Sequence, residues 1–203
     1  RTITPVSTLT PSPTWTMTPS ATPTITATPI DCALQRDRAI QFLSEHPVKI
    51  GDTTRKVVMM TYDDQGDKKY INRLLDIYQS QSCRATFFFI GDRMKEYQQE
   101  IQRLVSEGHI FGCHGWVHEP YTGFDDNRVL KDLQKWIDLA QEIVPNAPLR
   151  FFRPPYGDKN DRLVQLAGSK GFQVIMWSHS SGGLDDKTAQ RVLDGVQPGS
   201  IVL

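Results

Sequence analysis

The sequence lacks a long apolar run, an excess of either charge and a large number of cysteines. No stretch approaches the about 20 consecutive apolar residues that a membrane-spanning helix needs, so we expect no membrane insertion. The 23 basic and 23 acidic side chains give a formal net charge of zero. Electrostatics therefore favours neither nucleic acid nor an anionic lipid surface as a partner, and we expect a neutral one.

Cysteine is scarce, with Cys32, Cys83 and Cys113 as its three copies. Three thiols permit at most one intramolecular disulfide, for which Cys32 with Cys83 is the expected pair. The sequence leaves open whether that disulfide forms. Cys113 ends an apolar run, so we expect it to be packed as a small buried side chain.

Charged residues are almost absent from the first thirty positions. Residues 1–30 contain eleven Thr, six Pro and one charged residue, Arg1. Such a segment buries too little apolar surface to offset its chain entropy, so we interpret it as an extended, disordered linker. Thr/Pro-rich stalks are typical of extracellular and cell-surface proteins, with a plain disordered tail as the alternative. We expect surface tethering through this stalk and one globular domain over residues 31–203. If the protein is exported, its signal peptide lies before Arg1.

Strand and helix patterns alternate from residue 31 onward. Short apolar runs predict buried strands, and apolar residues at i, i+3, i+4 and i+7 predict helices between them. The predicted strands are 56–62, 85–90, 109–113, 150–152, 174–177 and 200–203. The predicted helices are a segment at 33–45 and faces built on Ile71, Leu74, Leu75 and Tyr78; Tyr97, Ile101, Leu104 and Val105; Val129, Leu130, Leu133, Trp136, Ile137 and Ala140; Leu163, Leu166 and Ala167; and Ala189, Val192, Leu193 and Val196.

This alternation predicts an α/β fold with parallel strands, either a barrel or an open doubly wound sheet. No G-x-G-x-x-G pattern follows the first strand, which counts against a dinucleotide site there. Polar residues instead follow the ends of successive predicted strands, on the face where barrel enzymes gather their active sites. These residues are Asp63, Asp64, His114, His118, Arg153, Tyr156, Ser178 and His179.

Two histidines separated by three residues, His114 and His118, can turn toward one point and bind a metal ion. A catalytic divalent ion usually takes three protein ligands, and a carboxylate of Asp63 or Asp64 could complete the set. The other carboxylate would then be free to act as a general base. The alternatives are two solvated loop histidines and a solvated turn at the Asp pair. The metal site is favoured because the candidate ligands all follow the ends of predicted strands, where their side chains can meet.

Three motifs resemble the first three motifs of polysaccharide deacetylases of the NodB-homology type, carbohydrate esterase family 4. They are Thr61-Tyr62-Asp63-Asp64, His114-Gly115-Trp116-Val117-His118 and Arg153-Pro154-Pro155-Tyr156-Gly157. The strand at 85–91 is also similar to the family's second strand. The resemblance covers about residues 55 to 203. It implies a distorted (β/α) barrel of seven to eight strands, the last of them expected beyond Leu203.

The resemblance also implies metal-dependent removal of N-acetyl or O-acetyl groups from a polysaccharide such as peptidoglycan, chitin or xylan. Asp64, His114 and His118 would bind a divalent metal, with Zn²⁺ first among the candidates and Co²⁺ or another transition metal as alternatives. The expected partner is the acetylated polysaccharide, and the expected state is a monomer. A barrel that binds surface glycan without turnover is the alternative, and a metal-dependent amidohydrolase of small molecules is a third hypothesis.

Further roles follow from the same resemblance. Asp63 would deprotonate the attacking water, and the Tyr156 amide would help to hold the oxyanion. Arg153 would orient Asp63 and keep it ionised, with a plain surface ion pair as the alternative. The residues expected to stack against sugars, or alternatively to be core residues, are Trp116, Tyr121, Tyr156 and Trp177.

The chain departs from the family pattern at three places. Gln65 stands where the family usually has glycine. The fourth motif offers no Asp until Asp185, which puts the orientation of Arg153 in doubt. The family's general-acid histidine would come shortly after Leu203, so we expect the acid there. His179 could substitute for it or simply form local hydrogen bonds.

Overall fold

The computed structural model describes residues 46–182 and 185–203. The predicted linker at 1–30, the predicted helix at 33–45 and Cys32 lie outside the described residues. The linker, the helix and the proposed pairing of Cys32 with Cys83 therefore stay predictions.

Six short strands form one parallel sheet in the described part of the chain. They are β1 (Met59–Tyr62), β2 (Thr86–Phe89), β3 (Ile110–Cys113), β4 (Phe151–Phe152), β5 (Gln173–Val174) and β6 (Ile201–Val202). Their order across the sheet is β5-β4-β3-β2-β1-β6, and every pair is parallel. Each strand overlaps one of the six predicted segments. The parallel α/β class is confirmed.

The sheet curls so that the chain leaving one edge strand meets the other edge strand. Beyond β5, the Ser178 amide donates to the Ile201 carbonyl at 3.0 Å, and the Leu203 amide donates to the His179 carbonyl at 3.0 Å. Val48 also forms a bridge with Ile175, on the β5 side. The predicted distorted barrel is therefore confirmed.

Helices join the strands. They are α1 (Lys68–Ser80), α2 (Gln98–Ser106), α3 (Asp126–Ile143), α4 (Asp161–Ser169) and α5 (Thr188–Gly195), with short 3₁₀ segments at Gly91–Tyr97, Tyr121–Gly123 and Pro155–Gly157. Polar side chains cap three helix N-termini: Asp67 accepts from the Lys69 amide, and Asp125 and Asn160 do the same for α3 and α4. Such caps satisfy amides that have no partner within the helix. The predicted helical periodicities therefore mark real helices.

The core lies between the helices and one face of the sheet. The side chains of Leu75, Leu104, Leu133 and Trp136 are fully buried, and Phe89 is 1% exposed. The Trp136 indole N–H donates to the Phe89 carbonyl at 2.8 Å, so this large side chain is buried without leaving its polar atom unpaired. This packing fixes the helices against the sheet. The carboxyl ends of the strands form an edge that is separate from this core.

Two predicted segments are less buried than their patterns indicate. The prediction of a buried strand over 56–62 is wrong at its start, because Val57 and Val58 are 45% and 37% exposed and precede β1. Helix α5 forms where its periodicity predicts, but it has no buried residue, and Leu193 is 67% exposed. Periodicity therefore identified this helix without identifying a packed face.

Cys113 is fully buried, as predicted, and burial raises the pKa of its thiol. Cys83 is exposed. Within the described residues, no helix has both the length and the apolar character that a membrane crossing requires.

The burial contrast between two leucines predicts a stability difference. Leu133→Ala should lower the free energy of unfolding by about 2–5 kcal/mol, because it removes apolar contacts and leaves a cavity in the core. Leu193→Ala should change that free energy by less than about 0.5 kcal/mol, because Leu193 is mostly exposed. Urea unfolding of both variants measures the difference. Equal losses would contradict the assigned core.

Candidate metal centre

Asp64, His114 and His118 come together at the carboxyl ends of β1 and β3. The Asp64 Oδ1 atom lies 3.3 Å from His114 Nε2 and 3.2 Å from His118 Nε2. One potential ligand atom from each of the three residues lies within 4.8 Å of the others. The structure thus brings together the three side chains that the sequence proposes as metal ligands.

A turn in the left-handed region places the Asp64 carboxylate. Asp64, Gln65 and Gly66 have φ angles of 64°, 51° and 69°, and the Gly66 amide donates to the Asp64 carbonyl. Asp tolerates positive φ better than most residues other than glycine, whereas Gln is strained there. The turn leaves Asp64 Oδ1 at 3.3 Å from His114 Nε2, while Asp63 Oδ2 lies 3.9 Å from the same nitrogen.

Gly115 shapes the histidine loop. Its φ is 83°, and a Cβ at this position would lie 2.8 Å from the ring of Tyr121. The Tyr121 hydroxyl accepts a hydrogen bond from the Trp116 amide at 2.6 Å. The loop therefore bends closely over a buried tyrosine, and this bend brings His114 and His118 to one side.

The tautomer of His114 follows from its surroundings. Its Nδ1 lies 2.7 Å from the Arg153 carbonyl oxygen, which can only accept. Nδ1 therefore carries the hydrogen, and in the neutral ring Nε2 presents a lone pair toward Asp64. This is the arrangement that metal-binding histidines usually have. The donor set therefore fits a divalent metal that binds imidazole nitrogen and carboxylate oxygen.

Arg153 is fully buried and holds Asp63. Its Nη1 donates to Asp63 Oδ1 at 2.9 Å and to the Thr61 hydroxyl at 2.7 Å. The Thr61 hydroxyl in turn donates to the Val202 carbonyl at 2.6 Å. The alternative of a surface ion pair for Arg153 is therefore wrong, because the guanidinium has no exposure to solvent.

Backbone carbonyls complete the orientation of Arg153. Its Nε donates to Ile175 O at 3.1 Å, and its Nη2 donates to Met176 O at 2.9 Å. Asp185, the nearest acid after the altered fourth motif, instead forms a surface ion pair with Arg191 at 2.9 Å. Two main-chain oxygens beyond β5 thus hold the arginine without a fourth-motif carboxylate.

The two neighbouring carboxyl groups have opposite pKa shifts. Burial raises the pKa of Asp63 above its ordinary value near 3.8, although the nearby Arg153 and His114 charges lower it in part. When the His114 ring is protonated, its Nε2–H donates to Asp64 and lowers the pKa of that carboxyl. Arg153 lowers the pKa of Asp63, as expected, but desolvation of the buried carboxylate outweighs the attraction of the guanidinium, so the net shift is upward.

His179 packs against helix α5. A Cβ on Gly195 would collide with the His179 ring, and its buried Nε2 has no hydrogen-bond partner among the described residues. In the same part of the chain, no hydrogen bond or ion pair joins this ring to Asp63 or to the candidate ligands. This placement favours local packing over a role as substitute acid.

The four aromatic residues proposed for sugar stacking differ in exposure. Tyr156 is 66% exposed, and its ring centroid lies 4.4 Å from that of His118. Trp116 and Trp177 are partly buried. The prediction for Tyr121 is wrong: this residue is fully buried beneath Gly115, so its ring cannot contact a sugar.

The backbone of Tyr156 also supports its predicted role. Its φ is 60°, and its amide donates to no acceptor in the described part of the chain. An amide without an internal acceptor is available to an oxygen atom of a bound substrate.

Two residues that contribute to the site were not assigned a role from the sequence. Thr61 contacts Arg153, and the Gln65 amide donates to the Ile90 carbonyl at 2.7 Å. Thr61 begins the Thr61-Tyr62-Asp63-Asp64 motif, which was the available signal for a role at the site. For Gln65 the signal was its departure from the glycine that the family usually has at this position.

A family model described as polysaccharide deacetylase matches residues 50–175. A peptidoglycan-N-acetylglucosamine deacetylase of Bacillus cereus is 26% identical over 157 residues, covering 75% of this chain and 57% of the relative. A chitin deacetylase of Amylomyces rouxii is 34% identical over 122 residues, covering 59% of this chain and 28% of the relative. The chain thus spans less than two thirds of the length of each relative.

A solved structure of a Bacillus anthracis protein, described as a CE4 family pseudoenzyme, has a TM-score of 0.73 and 26% sequence identity. The match covers 78% of this chain and 58% of that protein. A mutant of the same protein, described as having restored enzymatic activity, has a TM-score of 0.74, is 28% identical and matches over 78% and 60% of the two chains.

The carboxyl groups of Asp63 and Asp64 should titrate apart in the metal-free protein, above and below 3.8 respectively. The Asp63 contribution to stability should be lost as pH rises through its raised pKa, and that of Asp64 as pH falls through its lowered pKa. Carboxyl ¹³C NMR titration measures both transitions, and Asp64→Asn should remove the lower one. A single shared transition near 3.8 would contradict the assigned environments.

Proposed function

Because this chain belongs to the polysaccharide deacetylase family, we propose that it hydrolyses acetyl groups on a polysaccharide, with peptidoglycan, chitin and xylan as candidate polymers. The observation that carries the proposal is the convergence of Asp64, His114 and His118 beside the Asp63–Arg153 pair. The Bacillus cereus and Amylomyces rouxii relatives are named as deacetylases of peptidoglycan N-acetylglucosamine and of chitin, which supports an N-acetylated sugar as substrate.

Asp64, His114 and His118 would hold a divalent metal, with Zn²⁺ as the first candidate. When bound, the metal would polarise the acetyl carbonyl and lower the pKa of a coordinated water. The hydrogen bond from His114 Nδ1 to the Arg153 carbonyl fixes the ring that presents Nε2 to the metal. The same residue that orients the base therefore also orients a ligand.

Asp63 would accept the proton of the attacking water. Its Oδ1 is occupied by Arg153, so Oδ2, which lies 3.9 Å from His114 Nε2, is the oxygen available to the water. A raised pKa makes the ionised Asp63 carboxylate a stronger base. The buried Arg153 holds the Asp63 carboxylate in place and stabilises its charge.

Tyr156 would act on the other side of the acetyl group. Its amide donates to no acceptor in the described residues and is available to the oxyanion that forms as the water attacks. Its exposed ring, next to His118, offers an apolar face to a sugar.

We also propose that the protein acts outside the cell or at the cell surface, where residues 1–30 would tether it as a stalk. We propose that it is a monomer.

A second candidate function is binding of surface glycan without turnover. It is favoured by the likeness to a protein described as a CE4 family pseudoenzyme and by the placement of His179 away from the candidate ligands. The two candidates differ in whether acetate is released from a polymer that the protein binds.

Loss of the base should separate catalysis from metal binding. Asp63→Asn should lower kcat for acetate release by about 10²- to 10⁴-fold, because it removes the proton acceptor while leaving all three ligands in place. The assay uses chitin oligomers, peptidoglycan and acetylxylan with added Zn²⁺ or Co²⁺. Asp138→Asn, at an exposed position on α3, serves as the control and should keep full activity. Unchanged activity in the Asp63 variant would contradict the proposed base.

Removal of the metal should abolish turnover reversibly. A chelator, or the Asp64→Asn substitution, should suppress acetate release, and added Zn²⁺ should restore it only in the chelated protein with the intact ligand set. If the protein is retained on an insoluble polymer but releases no acetate under any metal condition, binding without turnover becomes the function.

A further inference from the structure

We propose that Gln65 is a positioning residue that locks the Asp64 carboxylate turn onto the loops carrying the two histidines. This inference rests on the metal site of the proposed function. It concerns the side chain that replaces the usual glycine directly after the Asp pair.

Gln65 occupies a position that favours glycine. Its φ of 51° lies in the left-handed region, where an unbranched side chain with a Cβ is strained. Nevertheless its side chain is buried, with 7% exposure. A strained and buried polar residue persists only where its contacts hold it in place.

The Gln65 side chain connects the ends of β1 and β2. Its Nε2 donates to the Ile90 carbonyl at 2.7 Å. The reversed amide would place Oε1 against that carbonyl, and two acceptors cannot form a hydrogen bond, so the orientation is fixed. Oε1 itself is buried and has no partner among the described residues. The amide is therefore used for this one contact.

The contact continues from β2 to the histidine loop. The Gly91 amide, next to Ile90, donates to the Gly115 carbonyl at 2.9 Å, and the Asp92 amide donates to the Trp116 carbonyl at 2.9 Å. Gly115 and Trp116 lie between His114 and His118 in the sequence. A short run of hydrogen bonds thus joins the residue after Asp64 to the segment between the two other ligands.

A second contact holds the same turn. The Tyr97 hydroxyl donates to the Gly66 carbonyl at 2.7 Å. Tyr97 ends the 3₁₀ segment that begins at Gly91, so both contacts run from the turn to the same connection. Because Gln65 is the one adjacent to Asp64, its loss should loosen the carboxylate more than it disturbs the fold.

The test compares Zn²⁺ affinity in Gln65→Met, Gln65→Gly and the control Gln102→Met. Met keeps the length and the backbone strain but removes the donor, whereas Gly relieves the strain and removes the side chain. Gln102 also donates to a carbonyl, that of Ile143 at 3.3 Å, but between α2 and α3. Affinity is measured by competition with a chromophoric chelator, and the melting temperature of each metal-free variant is measured alongside.

Both Gln65 variants should bind Zn²⁺ about 10- to 100-fold more weakly than the unsubstituted protein, as is typical when a group that orients a ligand is lost. Gln102→Met should bind as the unsubstituted protein does, and the metal-free melting temperatures of the Met variants should be similar. Affinity within twofold in either Gln65 variant would overturn the proposal. If the unsubstituted protein does not bind Zn²⁺, the metal site of the proposed function is wrong. If it binds Zn²⁺ and the Gln65 variants bind equally well, only the proposed role of Gln65 is wrong.

Discussion

The guanidinium of Arg153 carries a positive charge into the protein interior, and the structure around the site depends on compensating its desolvation. A buried charge without partners is very costly. Arg153 is fully buried and bonds to Asp63, to Thr61 and to two carbonyls beyond β5. It lies directly after β4, so one side chain ties together the carboxyl ends of three strands.

The same residue links the proposed base, Asp63, to the proposed metal ligands. Its side chain holds Asp63, while its main-chain carbonyl accepts from His114 Nδ1 and so sets the tautomer of that ring. Burial raises the pKa of Asp63, whereas the hydrogen bond that the protonated His114 ring donates to Asp64 lowers the pKa of Asp64. Two neighbouring carboxyl groups thus acquire different properties, which suits one to accept a proton and the other to bind a cation.

Much of the fold and the meeting of the site residues could be predicted from the sequence, because apolar periodicity marks the strands and parallel strands bring their carboxyl ends together. The long-range partners could not. The carbonyls that hold Arg153 have no sequence signature, and a main-chain oxygen can replace an expected carboxylate. Burial of Tyr121 and exposure of Leu193 depend on how neighbouring elements pack, which the pattern of apolar residues does not give.

The central claim is that Asp64, His114 and His118 together form one metal site. X-ray absorption spectroscopy at the zinc edge of the loaded protein tests it most directly, because imidazole, carboxylate and thiolate ligands give distinguishable scattering. Two imidazole ligands are expected from this proposal, with the remaining positions filled by oxygen. A sulfur ligand, or a first coordination sphere with fewer than two imidazoles, would contradict it.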